Sequence, residues 1–317
     1  MTLTKANGFR YQGSSANDSR CQTDRAAIIN ALTVDVEDYY QVGAFEARIS
    51  RREWHRYPSR VEANTKTMLD LFDAAQVHGT FFVLGWIGER YPELVRTIVA
   101  RGHELASHGY SHTNVTRQSP AAFRADIRRT RRLLEDISGT AVRGYRAANF
   151  SIGRETAWAF AILAEEGYAY SSSVYPIWHD QDVIQLRQRG PFTPDEAAEL
   201  LEIPLTTVGL LGINLPCSGG GYFRLWPYPL SRWALRRINL LERRPFIFYV
   251  HPWEVDPEQP RITGATLKAR LRHYVNLARV QDRLRRLLEE FRWDRVDKVF
   301  FADQPEMTTR RPCQKSA

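Results

Sequence analysis

Cysteine is scarce in this chain of 317 residues: Cys21, Cys217 and Cys313 are isolated and odd in number. Such usage excludes a disulfide framework and a CxxC metal or redox site, and it fits a reducing compartment. Long apolar runs are missing too. No stretch of 18 apolar residues occurs, so no transmembrane helix is expected. The opening "MTLTKANGFRYQGSSANDSRCQTDR" has no apolar core of signal-peptide length, which points to a cytoplasmic protein. Contact with a membrane surface is left open. Internal repeats and low-complexity tracts are absent. Charge is not: 44 basic against 36 acidic residues leave a net +8. Many basic residues fall in helix-like stretches such as "RADIRRTRRLLED" and "LKARLRHYVNLARVQDRLRRLLEEF". No nucleic-acid motif accompanies them, so they read as solvated helix faces and no nucleic-acid partner is expected. Nothing in the composition marks the oligomeric state.

What is present is a regular alternation of strand and helix signals. Residues 1–28 are polar and rich in Ser, Asn and Gly, a flexible tail. "AIINALTVDV" then reads as a buried strand, and "VEANTKTMLDLFDAAQVHG" as an amphipathic helix stopped by Gly79. "TFFVLG" is a second strand, "YPELVRTIVARG" a helix with Pro92 in its first turn, and "HELASH" a third strand. Ser119 followed by Pro120 starts the helix "SPAAFRADIRRTRRLLEDISG", and Gly139 stops it. The strands "AVRGYR", "YAYSSS", "LLEIPLT" and "PFIFYVHPW" follow, with the helix "RETAWAFAILAEEG" between the first two. Repeated strand–helix units imply parallel strands with right-handed crossovers, in an open sheet or a barrel. Residues about 261–297 read as a helical pair ending in "FRWDRVDKVFF".

Chemically capable residues recur at the ends of these strands. Asp35, Glu37 and Asp38 end the first, His108 and His112 follow the third, Arg146 follows "VRGY", and His251 follows "FIFYV". Active sites of α/β barrels and open sheets gather at the C-terminal ends of strands. His108 and His112, four apart, share one face if the segment is helical, while Gly109 permits a tighter loop. On their own they read as surface or capping histidines. Beside "VDVED" they suggest two neutral imidazoles, a carboxylate and an open water position, a zinc-type site. On an extended strand Asp35 and Glu37 point to the same side and Asp38 away, but a strand ending at Val36 lets either Glu37 or Asp38 turn inwards. His251, shielded by Trp253, is a candidate general acid or a core-edge histidine. Arg146 is a surface arginine or the group that keeps a carboxylate ionised. In "CSGGGYFRLWPY", Gly219 to Gly221 allow close backbone approach, and Tyr222, Phe223 and Trp226 either stack on sugar faces or pack in the core.

"LTVDVEDYYQVGAFE", "HELASHGYSH", "GYRAANFSIG", "YAYSSSVYP" and "FYVHPWEVDPEQPR" occur in the order of the motifs of polysaccharide deacetylases, the nodulation-type carbohydrate esterases. With "LPCSGGGYFRLWPYPL" and "HYVNLARVQDRLRRLLEEF", the chain resembles the branch found in exosortase (PEP-CTERM) exopolysaccharide gene clusters, over residues 30 to 297. The resemblance implies a distorted, incomplete (β/α) barrel of about seven parallel strands over 29–258, with a C-terminal helical extension over 259–317 packed on it. It implies metal-dependent removal of N-acetyl groups from amino sugars of an exopolysaccharide or its lipid-linked precursor. Asp35 then matches the general base, Arg146 the arginine that orients it and His251 the general acid. His108 and His112 match the metal histidines, and Glu37 or Asp38 supplies the carboxylate to a divalent ion: zinc first, cobalt or another first-row ion otherwise. Tyr222, Phe223 and Trp253 are the expected substrate-contacting aromatics. Two departures stand out: Ala148 or Asn149 where the family often has proline, and Ser171 where an aspartate commonly supports the arginine or histidine. Ser171 motivates a competing expectation, a catalytically weak or inactive carbohydrate-binding protein of the same fold. A small non-polymeric amide such as a cyclic ureide is the other alternative substrate.

Overall fold

The computed structural model describes residues 28–177 and 188–302. The expected tail therefore lies outside the described residues up to position 27, as do Cys21, Cys313 and the last fifteen residues of the expected extension, 303–317. In chain order the strands are β1 (Ile29–Val36), β2 (Thr80–Val83), β3 (Glu104–Ser107), β4 (Gly144–Tyr145), β5 (Tyr170–Ser171), β6 (Leu201–Glu202), β7 (Thr207–Leu210), β8 (Ile213–Pro216), β9 (Ile247–Val250) and β10 (Arg292–Asp294). Eight of them form one sheet, ordered β10-β1-β2-β3-β4-β5-β6, with β9 also pairing β1. Every pairing in that sheet is parallel. β7 and β8 make a separate antiparallel hairpin. Helices cover the sheet, and the architecture is the distorted, incomplete (β/α) barrel expected.

β1 explains its own central place. In "INALTVDV" seven of eight residues are buried, the near-continuous burial of a strand covered on both faces. It pairs β2 through Thr33–Val36, β9 through Ala31–Val34 and β10 through Ile29–Ala31. The helix Pro120–Ser138 starts and stops where its punctuation says. The Ser119 hydroxyl accepts from the Ala122 N–H, and Gly139 at φ 68° returns its N–H to the Glu135 carbonyl at 2.8 Å.

The C-terminal segment carries the expected helices and, in addition, a strand. After the helices Leu267–Tyr274 and Val280–Glu290 the chain re-enters the sheet as β10, with Trp293 buried against Phe246, Phe248 and Phe291. The aromatic side chain at 293 has a slot between these rings that a solvent-facing helix would leave unfilled. No helix among the described residues is long and apolar enough to cross a membrane.

Candidate active site

β1, β3, β4 and β9 end at one mouth of the half-barrel, and there the polar residues singled out above meet in a cavity of about 500 Å³ lined by Asp35, Glu37, His108, His112, Tyr222 and His251 among others. Arg146 is fully buried just beneath it. Its guanidinium donates to Asp35 Oδ1 at 2.6 Å, to Thr33 Oγ1 at 2.8 Å, and to Ser172 through both the carbonyl (3.2 Å) and the hydroxyl (3.0 Å). Burial, the largest single influence, acts to raise the Asp35 pKa, but the charge and hydrogen bond of Arg146 together with His108 and His251 outweigh it and hold the carboxyl below its ordinary value. Asp35 is therefore a buried, ionised carboxylate.

The two histidines do not lie on a helix. After β3 the chain makes a loop in which Gly109 (φ 71°) and His112 (φ 50°) are both left-handed. That geometry turns both side chains back toward β1, with ring centroids 5.2 Å apart. Neighbouring elements pin the loop. The Gly109 carbonyl accepts from Gly85 N–H, Asp126 accepts from Tyr110 N–H, and Arg51 donates to the carbonyls of Ser111 and His112. His108 Nδ1 lies 2.8 Å from the Arg146 carbonyl, an acceptor only, so Nδ1 donates and Nε2 is left for another partner. Burial pushes both imidazoles down, His112 far down, so both are neutral and carry a free lone pair.

Glu37 faces them. Its Oε2 is buried without a hydrogen-bond partner and lies 3.0 Å from His112 Nε2. Ligand atoms of Glu37, His108 and His112 all fall within 4.8 Å of one another. Burial first, and Asp35 second, push the Glu37 pKa well up. An orphaned carboxylate oxygen facing two neutral imidazoles fits a divalent cation, and the donor set is that of a hydrolytic zinc-type site.

Asp38, the alternative carboxylate, is occupied elsewhere. Its Oδ2 accepts from Ser59 Oγ (2.7 Å), Arg60 N–H (2.9 Å) and Val61 N–H (3.2 Å), which caps the helix Val61–Ala74. The N-terminus of a helix favours an anion through its unpaired N–H groups. Asp38 thus faces away from the cavity and is corrected from metal ligand to helix cap.

His251, at the end of β9, completes the mouth: Nε2 lies 3.5 Å from Glu37 Oε1 and 4.0 Å from Asp35 Oδ2, and Nδ1 3.3 Å from Glu254. Burial pushes its pKa down to about 3, so the resting imidazole is neutral. Of the aromatics, Tyr222 is half-buried and lines the cavity. Phe223 does not: it is buried and packs edge-on against Phe248, a core residue rather than a sugar contact. Trp253 lines the cavity, but its ring stacks on His251 and His273 and lies beside Arg224, so protein groups take its faces. Its indole N–H points to Glu37 Oε1 at 3.4 Å.

The sequence reading missed one charge. Glu202, on β6, is fully buried, accepts from Ser173 and Val174 N–H at 2.8 Å each, and feels the Arg146 charge. It lies on the strand next to Ser171 and binds the backbone just after Ser172, the serine that holds Arg146. A glutamate inside the apolar "LLEIPL" was the signal that could have found it.

The chain is thus of one class, a parallel α/β half-barrel that gathers a carboxylate, two neutral histidines and an acid–arginine pair at its strand ends. Within that class the family model for polysaccharide deacetylases matches residues 54–170, and a domain of unknown function (DUF3473) matches 172–301. This chain contains a polysaccharide deacetylase domain. It is 30% identical over 111 residues, 35% of this chain, to a chitooligosaccharide deacetylase of Bradyrhizobium sp. (strain ANU 289). It is 34% identical over 77 residues, 24% of this chain, to a peptidoglycan-N-acetylglucosamine deacetylase of Bacillus cereus. These matches span 48% and 28% of the two relatives' lengths, about half or less of each. Two solved structures share the fold. One, from Mycobacterium smegmatis and assigned to the polysaccharide deacetylases, superposes with a TM-score of 0.52 at 20% identity over 84% of this chain and 86% of that one. The other, PuuE allantoinase, gives 0.56 at 18% identity over 88% and 91%.

Proposed function

We propose that the chain is a metal-dependent deacetylase that removes N-acetyl groups from the amino sugars of a bacterial exopolysaccharide or its lipid-linked precursor. One observation carries this reading: the buried cluster of Glu37, His108 and His112 lies beside an ionised Asp35 in one cavity. A divalent ion, zinc foremost, held by those three residues would polarise an acetyl carbonyl and bring the pKa of water from about 15.7 to near 7. Asp35, kept ionised and oriented by Arg146, takes the proton of the attacking water. His251 faces the same space from the end of β9, the neighbour of β1, and, once protonated there, delivers a proton to the departing sugar amine. Water and the N-acetyl group become acetate and a free amine. Tyr222 supplies an aromatic wall for a sugar ring.

The same set of groups would serve a cyclic ureide, and an inactive carbohydrate binder would keep the cavity without turnover. Acetate release from N-acetylglucosamine oligomers by the zinc-loaded chain, run beside allantoin hydrolysis, separates the three. Acetate from the oligomer alone supports the proposal. Ureide hydrolysis alone, or sugar binding with no acetate, overturns it. The sparse cysteines, with Cys217 buried and unpaired, support a cytoplasmic site of action, which cell fractionation tests.

A further inference from the structure

Among the described residues ten large apolar side chains are exposed. Nine lie within 172–301, Ile29 is the tenth, and none lies within 54–170. Four of the nine, Leu230, Trp233, Leu240 and Leu241, sit on one rod of chain, the helix Tyr228–Arg237 and the π-helical stretch Ile238–Glu242 that continues it. Their order, i, i+3, i+10 and i+11, places them along one side of the rod. The opposite side, Tyr228, Ser231, Ala234, Leu235 and Ile238, is buried in the protein.

The exposed charge on this rod has one sign. Arg236 and Arg243 are exposed and Arg237 is half-buried. Among the described residues Arg237 and Arg243 pair with no acid. Glu242, the one acid between 228 and 243, is already bound by Arg189 and Arg244. The helix Leu267–Tyr274 repeats the pattern at the cavity rim. Leu267 and Leu271 are 81% and 63% exposed, beside Lys268, Arg270 and Arg272, and the helix holds no acid.

An apolar stripe with a tryptophan, edged by Arg237 and Arg243 without acidic partners and by Arg236, which lies 3.9 Å from Glu290, is a poor fit for self-association, because two copies would set like charges face to face. It fits an anionic lipid surface, where leucines and tryptophan enter the boundary between headgroups and acyl chains while arginines meet the headgroup charge. We propose that this rod is a membrane-surface contact: Leu230, Trp233, Leu240 and Leu241 insert into an anionic bilayer interface, and Arg236, Arg237 and Arg243 lie at its headgroups. The contact goes beyond the catalytic reading and does not depend on it, since binding needs no turnover.

The test is co-sedimentation of the full chain with vesicles of phosphatidylcholine and phosphatidylglycerol in equal parts, against vesicles of phosphatidylcholine alone. The expected result is affinity about tenfold higher for the anionic vesicles, falling by about tenfold in Leu240→Glu/Leu241→Glu and by less in Arg237→Gln/Arg243→Gln. Both variants keep the wild-type melting temperature and the wild-type acetate release from a soluble oligomer, which separates failure of this contact from failure of the catalytic reading. Three outcomes overturn the proposal. Wild type stays in the supernatant with anionic vesicles, or the double-glutamate variant sediments like wild type. The third is a concentration-dependent dimer, dissolved by that variant, in place of vesicle binding.

Discussion

Residues 54–170 and 172–301 build the same sheet but treat their side chains differently. The first region turns His108, His112 and Arg146 inward and leaves no large apolar side chain more than partly exposed. The second contributes His251, Trp253 and Tyr222 to the same cavity, yet carries nine of the ten exposed large apolar side chains. β1 lies before both and hands Asp35 and Glu37 to the cavity. The difference teaches that the reactive groups are anchored mainly by β1 and the first region, while the second closes the mouth and presents a surface.

The variants that break this division run from large to small effect. Asp35→Asn should lower kcat for acetate release by about 10²–10⁴-fold. It should also lower stability by roughly 3 kcal/mol in urea unfolding, because Arg146 is left as an unpaired buried charge. Chelation should abolish turnover, and zinc should then raise the melting temperature of the wild type by the linkage of one bound ion. At a hundredfold excess over Kd that is about 2.7 kcal/mol. Glu37→Gln should lose most of this rise. Glu202→Gln, a change confined to the second region, should cost about 10-fold in kcat through Arg146. Its diagnostic is an upward move of the acid limb of the pH–rate profile, as Asp35 loses part of the support of a well-placed guanidinium. An unchanged limb would mean that the first region alone sets Asp35.

A separate effect, on stability and not on turnover, lies in the core. Burial pushes His103 down to about 4 from 6.5, and its Nδ1 accepts from Gly79 N–H. Between those values the unfolded chain takes up a proton that the folded one refuses, so stability present above pH 6.5 is lost as pH falls through about 4. His103→Asn, which keeps an acceptor, should give a shallower fall in melting temperature between pH 7 and 4.5.

Much of this was written in the order of residues along the chain. Apolar runs ending in Asp35, His108, Arg146 and His251 show where strands stop and reactive groups begin, because a parallel strand covered on both faces tolerates polarity only at its ends. The choice between Glu37 and Asp38 was not legible, since what claims Asp38 is the start of a helix twenty-two residues on, at Arg60. Phe223 lay beyond reach for a similar reason. In "GGYFRL" only the packing against Phe248 decides which ring enters the core. β10 is three residues long and carries no alternation to read. Glu202 was overlooked because a lone acid in an apolar run looks like a solvated edge until its strand is placed inside the sheet.

The central claim, that one cation is shared by Glu37 of β1 and the two histidines after β3, is tested most directly by anomalous diffraction at the zinc edge from zinc-soaked crystals. The expected map holds one strong peak within bonding distance of Glu37, His108 and His112, with Asp35 and His251 beside it. A cavity without that peak, or zinc bound instead through Asp38, would contradict the account.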